Sequence, residues 1–109
     1  MILRALDAVI EATQSKRVTW TKVDPERYET AGEPKVTIEF HYPQVGGETT
    51  TGADIAVVSL GGGMYSFFSG SEGMTKIQTI LRSAFPDWQE HLARMENNID
   101  EFIEKIRRA

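Results

Sequence analysis

Residues 35–42, KVTIEFHY, decide how the rest of the chain reads. Val36, Ile38, Phe40 and Tyr42 alternate with Lys35, Thr37, Glu39 and His41. A period of two is the pleat of a β-strand, with successive side chains on opposite faces. One face is apolar and the other is wet, the pattern of an antiparallel sheet covered on one side only.

Downstream, residues 53–60 (ADIAVVSL) are apolar on both faces and read as a central strand. Gly61-Gly62-Gly63 follows as a hairpin turn, because glycine reaches the positive φ values that tight turns require. Residues 64–68 (MYSFF) give the return strand, and residues 43–52 a loop centred on Gly46-Gly47. Upstream, residues 17–23 (RVTWTKV) read as a strand with Val18 and Trp20 on one face. Asp24-Pro25 then opens a polar stretch with room for one helical turn, closed by Gly32 and Pro34.

Helices flank these strands. Ile2, Leu3, Leu6, Val9, Ile10 and Thr13 form a stripe over residues 2–14, opposite Arg4, Asp7 and Glu11. After Ser69-Gly70-Ser71, with Ser71 as N-cap, Met74, Ile77, Ile80, Leu81, Ala84 and Phe85 recur at helical spacing. Pro86 and Asp87 open a third helix. Its apolar residues Trp88, Leu92, Met95, Ile99, Phe102 and Ile106 step by four and three, a heptad seam that Ile103 widens late. The expected order is αββββαα: one α+β domain over residues 1–109, a four-stranded antiparallel meander with one N-terminal and two C-terminal helices on one face.

Composition narrows the functions. The chain has no cysteine, which excludes thiolate catalysis, disulfides and cysteine-ligated metal. Sixteen acids and twelve bases give a net charge of −4, and both signs are spread along the chain. A nucleic-acid binder needs a basic excess or patch, and none is visible. No apolar run approaches the roughly 20 residues that span a bilayer. Asp7 and Glu11 interrupt what would be the apolar part of a signal peptide. A soluble, cytoplasmic protein without cofactor or metal is the expectation.

Four constellations stand out. The last helix, about 33 Å long from residue 88 at 1.5 Å per residue, outruns strands of roughly 26 Å. Its overhanging turns carry Phe102, Ile103 and Ile106, so the seam Trp88, Leu92, Met95, Ile99, Phe102, Ile103 and Ile106 is read as a surface for a second copy or another protein. The alternative is that the first helix covers it. The second constellation is the start of the middle helix, Ser69, Ser71 and Gly73 with Lys76 one turn on, which could hold an anion or nucleotide lined by Tyr65 or Trp20. An ordinary capped helix start explains the same residues, and the spacing is not that of a P-loop. The third is Glu39 and His41 on the wet strand face, about 7 Å apart, a pair capable of acid–base chemistry but also of plain solvation. The fourth is the aromatic set Trp20, Tyr42, Tyr65, Phe67 and Phe68, more simply core than base-stacking. Tyr28, in the polar stretch, reads as a contact residue.

The leading expectation is therefore a non-enzymatic interaction protein of inhibitor, adaptor or chaperone type. It would be a homodimer that binds a partner protein through the long helix and the sheet face. Small size suits a phage-encoded (viral) or accessory bacterial protein. The acidic composition and sheet–helix order resemble the small acidic dimeric chaperones of bacterial secretion systems, which place strands after the middle helix where this chain places a helix. A small-ligand binder using Ser69 to Lys76 is the second reading, and an enzyme using Glu39 and His41 the third.

Overall fold

The computed structural model describes residues 2–41, 44–45, 48–49, 55–89 and 102–108. Over these the chain is α+β. A helix α1 (Ile2–Gln14) precedes strands β1 (Trp20–Asp24), β2 (Arg27–Thr30) and β3 (Thr37–His41). A short ribbon follows, β4 (Gln44–Val45) with β5 (Glu48–Thr49). Then come β6 (Ile55–Leu60), β7 (Gly63–Phe68) and the helix α2 (Glu72–Ala84). Residues 102–108 form a last helical stretch, α3.

The main sheet has five antiparallel strands in the order β1-β2-β3-β6-β7, not four. The added strand is β2, in the stretch read as a polar loop with a helical turn. Arg27 and Glu29 face out while Tyr28 and Thr30 are buried, so the segment has the same two-residue period as β3. It pairs with β1 on one side and β3 on the other, with Tyr28 opposite Ile38. Thr30 closes the β2–β3 connection. Its hydroxyl donates to the Pro34 carbonyl at 3.1 Å and accepts from the Val36 amide at 2.9 Å.

The inner face of the sheet holds the core. Ile38, Phe40, Ala56 and Val58 are buried there beneath Met74, Ile77, Ile80 and Leu81 of α2 and Leu6 of α1. The helix periods read from sequence supply these residues, and α1 and α2 pack against each other. Ser71 caps α2 as expected, its Oγ accepting from the Met74 amide at 3.1 Å. Gly73 is buried because β7 passes close by, and a Cβ there would collide with the Phe67 ring. The β6–β7 hairpin turns on Gly61 and Gly62, at φ +57° and +82°. Two consecutive positive φ values make the tight turn whose twist matches its strands.

Two residues expected on the surface lie in the core. Tyr28 is 1% exposed. Its hydroxyl accepts from Trp88 Nε1 at 2.8 Å and donates to the Pro25 carbonyl at 3.1 Å, so the polar tip is satisfied and the ring can be buried. Trp88, read as the first residue of the partner-binding seam, stacks on Phe40 with ring centroids 5.8 Å apart and meets Tyr28 edge-on at 6.4 Å. It is not itself helical, and it seals the β2–β3 side of the core together with Phe85. Leu92, Met95 and Ile99 of the same seam, and Tyr42, lie outside the described residues.

Candidate functional site

The face of the sheet away from α1 and α2 divides into two halves. The registers place Arg27 opposite Glu39 and Glu29 opposite Thr37, so β2 and β3 present a charged surface. Lys35 adds an ion pair to Glu29 at 3.5 Å. Across β3 the character changes. Glu39 stands opposite Val57 and His41 opposite Ile55, and these in turn face Ser66 and Phe68 of β7. Ser59 faces Met64. The β6–β7 half of the outer face is therefore mostly apolar. Met64 is 74% exposed and Phe68 63%.

Those two residues sit on the last strand of the sheet. β7 pairs with β6 in unbroken register from Leu60↔Gly63 to Ile55↔Phe68. Among the described residues no strand pairs with its other side. The tight turn makes Leu60 and Gly63 a hydrogen-bonded pair, and such pairs alternate with non-bonded ones along an antiparallel ladder. The backbone groups of Met64, Ser66 and Phe68 consequently face the open edge. Among the described residues the Phe68 carbonyl has a local partner there, accepting from the Ser71 amide at 3.1 Å and from the Ser71 hydroxyl at 2.7 Å. The strand, GMYSFF, contains no charge and no proline. An edge of this kind is a template for another strand.

Phe102 is 64% exposed and Ile106 60%, and Ile103 is exposed as well. On this short stretch Arg108 pairs with Glu104 one turn away.

The anion-binding candidates at the α2 start are engaged within the fold. Ser71 Oγ serves the cap and the Phe68 carbonyl. Gly73 is pressed against Phe67. Lys76 Nζ donates to Asp7 Oδ1 at 2.5 Å, tying α2 to α1, with Glu72 at 3.9 Å. The hydrogen bond to Asp7 is the main cause that raises the Lys76 pKa above its ordinary value, against a smaller opposing effect of burial. Ser69 is exposed beside this start.

Glu39 and His41 do meet on the outer face, His41 Nε2 lying 3.4 Å from Glu39 Oε1. Both side chains are about half exposed, where water screens their interaction. Among the described residues no group of three acidic or histidine side chains is placed to hold a metal ion. Trp20, a ligand-lining candidate, is buried, with its Nε1 donating to Thr13 Oγ1 at 3.0 Å. Tyr65 stays partly exposed on β7. Among the described residues no helix is long and apolar enough to cross a membrane.

No family model matches the chain, and no curated protein or solved structure matches it either. The geometry of the molecule is thus the whole basis for a functional reading.

Sequence reasoning found MYSFF as a strand but not its position as the open edge. A signal was present. It is the last strand-like segment before two helical patterns, and counting from the Gly61-Gly62 turn puts Met64, Ser66 and Phe68 together on one face.

Proposed function

We propose that this chain is a non-catalytic interaction protein that engages a partner protein through the apolar half of its outer sheet face. The observation that carries the reading is the exposure of Met64 and Phe68 beside Ile55 and Val57, on a sheet whose other face already holds the core. Scattered surface apolar residues need no explanation, but a contiguous strip on an open sheet edge marks an interaction site. Phe102, Ile103 and Ile106 add a second exposed apolar surface that suits helix-mediated contact. Apart from Trp88, the partner surface expected from the seam keeps its place in this reading, and the sheet edge takes the leading role.

The small-ligand reading has less support, because Ser71 and Lys76 already have partners within the fold. The acid–base reading rests on one exposed pair.

The test is affinity enrichment from the source cells with three immobilised forms: wild type, Met64→Lys with Phe68→Lys, and Arg27→Ala with Glu39→Ala as a control on the charged half. A partner held by wild type and control but lost from the β7 variant is the expected result. The same set of proteins on all three forms contradicts it.

A further inference from the structure

Resting on that reading, we infer that the partner along the β7 edge is a second copy of this chain, joined by antiparallel β7–β7 pairing about a two-fold axis through Ser66. A two-fold pairing places a strand against itself, so the strand must be complementary to its own reverse. β7 meets that condition. Outward-facing Met64, Ser66 and Phe68 are evenly spaced about Ser66. With Ser66 opposite Ser66 of the second copy, Met64 lies opposite Phe68. The two most exposed large hydrophobic side chains of β7 then cover each other, as a thioether against an aromatic ring.

The backbone agrees with this register. Residues 64, 66 and 68 carry the groups that face the edge, so the Ser66 pair exchanges both of its bonds and each Phe68 amide reaches the Met64 carbonyl of the other copy. The Phe68 carbonyl keeps Ser71. Charge agrees too, since GMYSFF brings no like charges together across the axis.

Area sets the strength. With 150–250 Å² for a whole large side chain, the exposed fractions of Met64, Tyr65 and Phe68 amount to roughly 350 Å² per copy. That is about half of the roughly 800 Å² per partner of a standard interface, so the dimer is expected to be weak and reversible. An axis normal to the sheet keeps the helices of both copies on one side. The two apolar strips join on the other side into a single surface around Ile55 and Val57, twice the size for the partner of the proposed function.

Sedimentation equilibrium of the full chain across a wide concentration range, with Ser66→Cys cross-linking under mild oxidation, tests the inference. The chain has no other cysteine, so any disulfide reports the 66–66 contact. The Cα separation of a hydrogen-bonded strand pair, about 5.5 Å, suits that bond. The expected result is a reversible dimer, a disulfide from Ser66→Cys but not from Thr21→Cys on β1, and a monomer for the folded Met64→Lys, Phe68→Lys variant. A wild type that stays monomeric throughout, or a dimer that this variant leaves intact, overturns self-pairing. If the monomeric wild type still holds a partner that the β7 variant loses, the proposed function survives and only the self-pairing falls. If the β7 substitutions change neither association nor capture, both fall.

Discussion

The two edges of the sheet are built differently. β1 ends the sheet with WTKVD, its register shifts between Lys22 and Asp24, and Lys22 stands opposite inward-facing Tyr28. A bulge and an edge lysine are the devices that keep a strand from being extended. Of its two apolar residues, Trp20 is turned inward and tied to Thr13 of α1, while Val23, 49% exposed, sits within the bulge. β7 ends the other side with GMYSFF, in continuous register, with no charge and with Met64 and Phe68 in water. The same sheet therefore has one edge closed by chemistry and one left open. Trp20 at the first belongs to stability, and Met64 and Phe68 at the second are available for contact.

That contrast breaks if substitutions at the two edges behave alike. The largest effect is expected for Trp20→Ala, which removes a buried aromatic anchor and should cost about 3–5 kcal/mol in urea unfolding. Gly73→Ala comes next. It drives a methyl group into Phe67 on the inner side of β7 and should cost about 1–3 kcal/mol, more if the backbone cannot shift. Thr13→Val keeps the shape but leaves the buried Trp20 N–H without its acceptor, for about 1–3 kcal/mol. By contrast, Met64→Ala and Phe68→Ala should change stability by no more than about 0.5 kcal/mol, since both residues are largely exposed, while weakening association. If Phe68→Ala destabilised the isolated chain as much as Trp20→Ala, the β7 residues would be structural and the contrast would be lost.

The smallest effect concerns Lys76, on neither edge. Its pKa is raised in the folded state by the hydrogen bond to Asp7, so the stability it contributes is present at neutral pH. That stability is lost only as pH climbs above the ordinary lysine range, through the raised value. Lys76→Met should therefore lower the melting temperature slightly at pH 7, remove this alkaline sensitivity and leave association unchanged. A pH-titrated thermal melt of both forms checks it.

Much of the fold was legible because its signals are local. KVTIEFHY alternates cleanly, the glycine turn separates two apolar runs, both main helices carry their stripes, and Ser71 caps the second. β2 was missed because RYET has one apolar residue and follows a proline. Its place comes from pairing with β3, and Tyr28 is held by Trp88, 60 residues later. Trp88 misled for the same reason. Its spacing fits a heptad, but an aromatic pocket formed by Tyr28, Phe40 and Phe85 takes it into the core. The Glu39–His41 pair was legible from strand parity alone. The open edge was not, because strand order is a property of the whole sheet.

The most direct measurement is amide hydrogen exchange along β7 and β1 as protein concentration rises from low micromolar to millimolar. Edge amides with no partner exchange readily, and pairing protects them. The amides of Ser66 and Phe68 should become protected with concentration while those of β1 do not change. Exchange at β7 that is independent of concentration, with no partner found to slow it, would contradict the claim that this edge is the interaction surface.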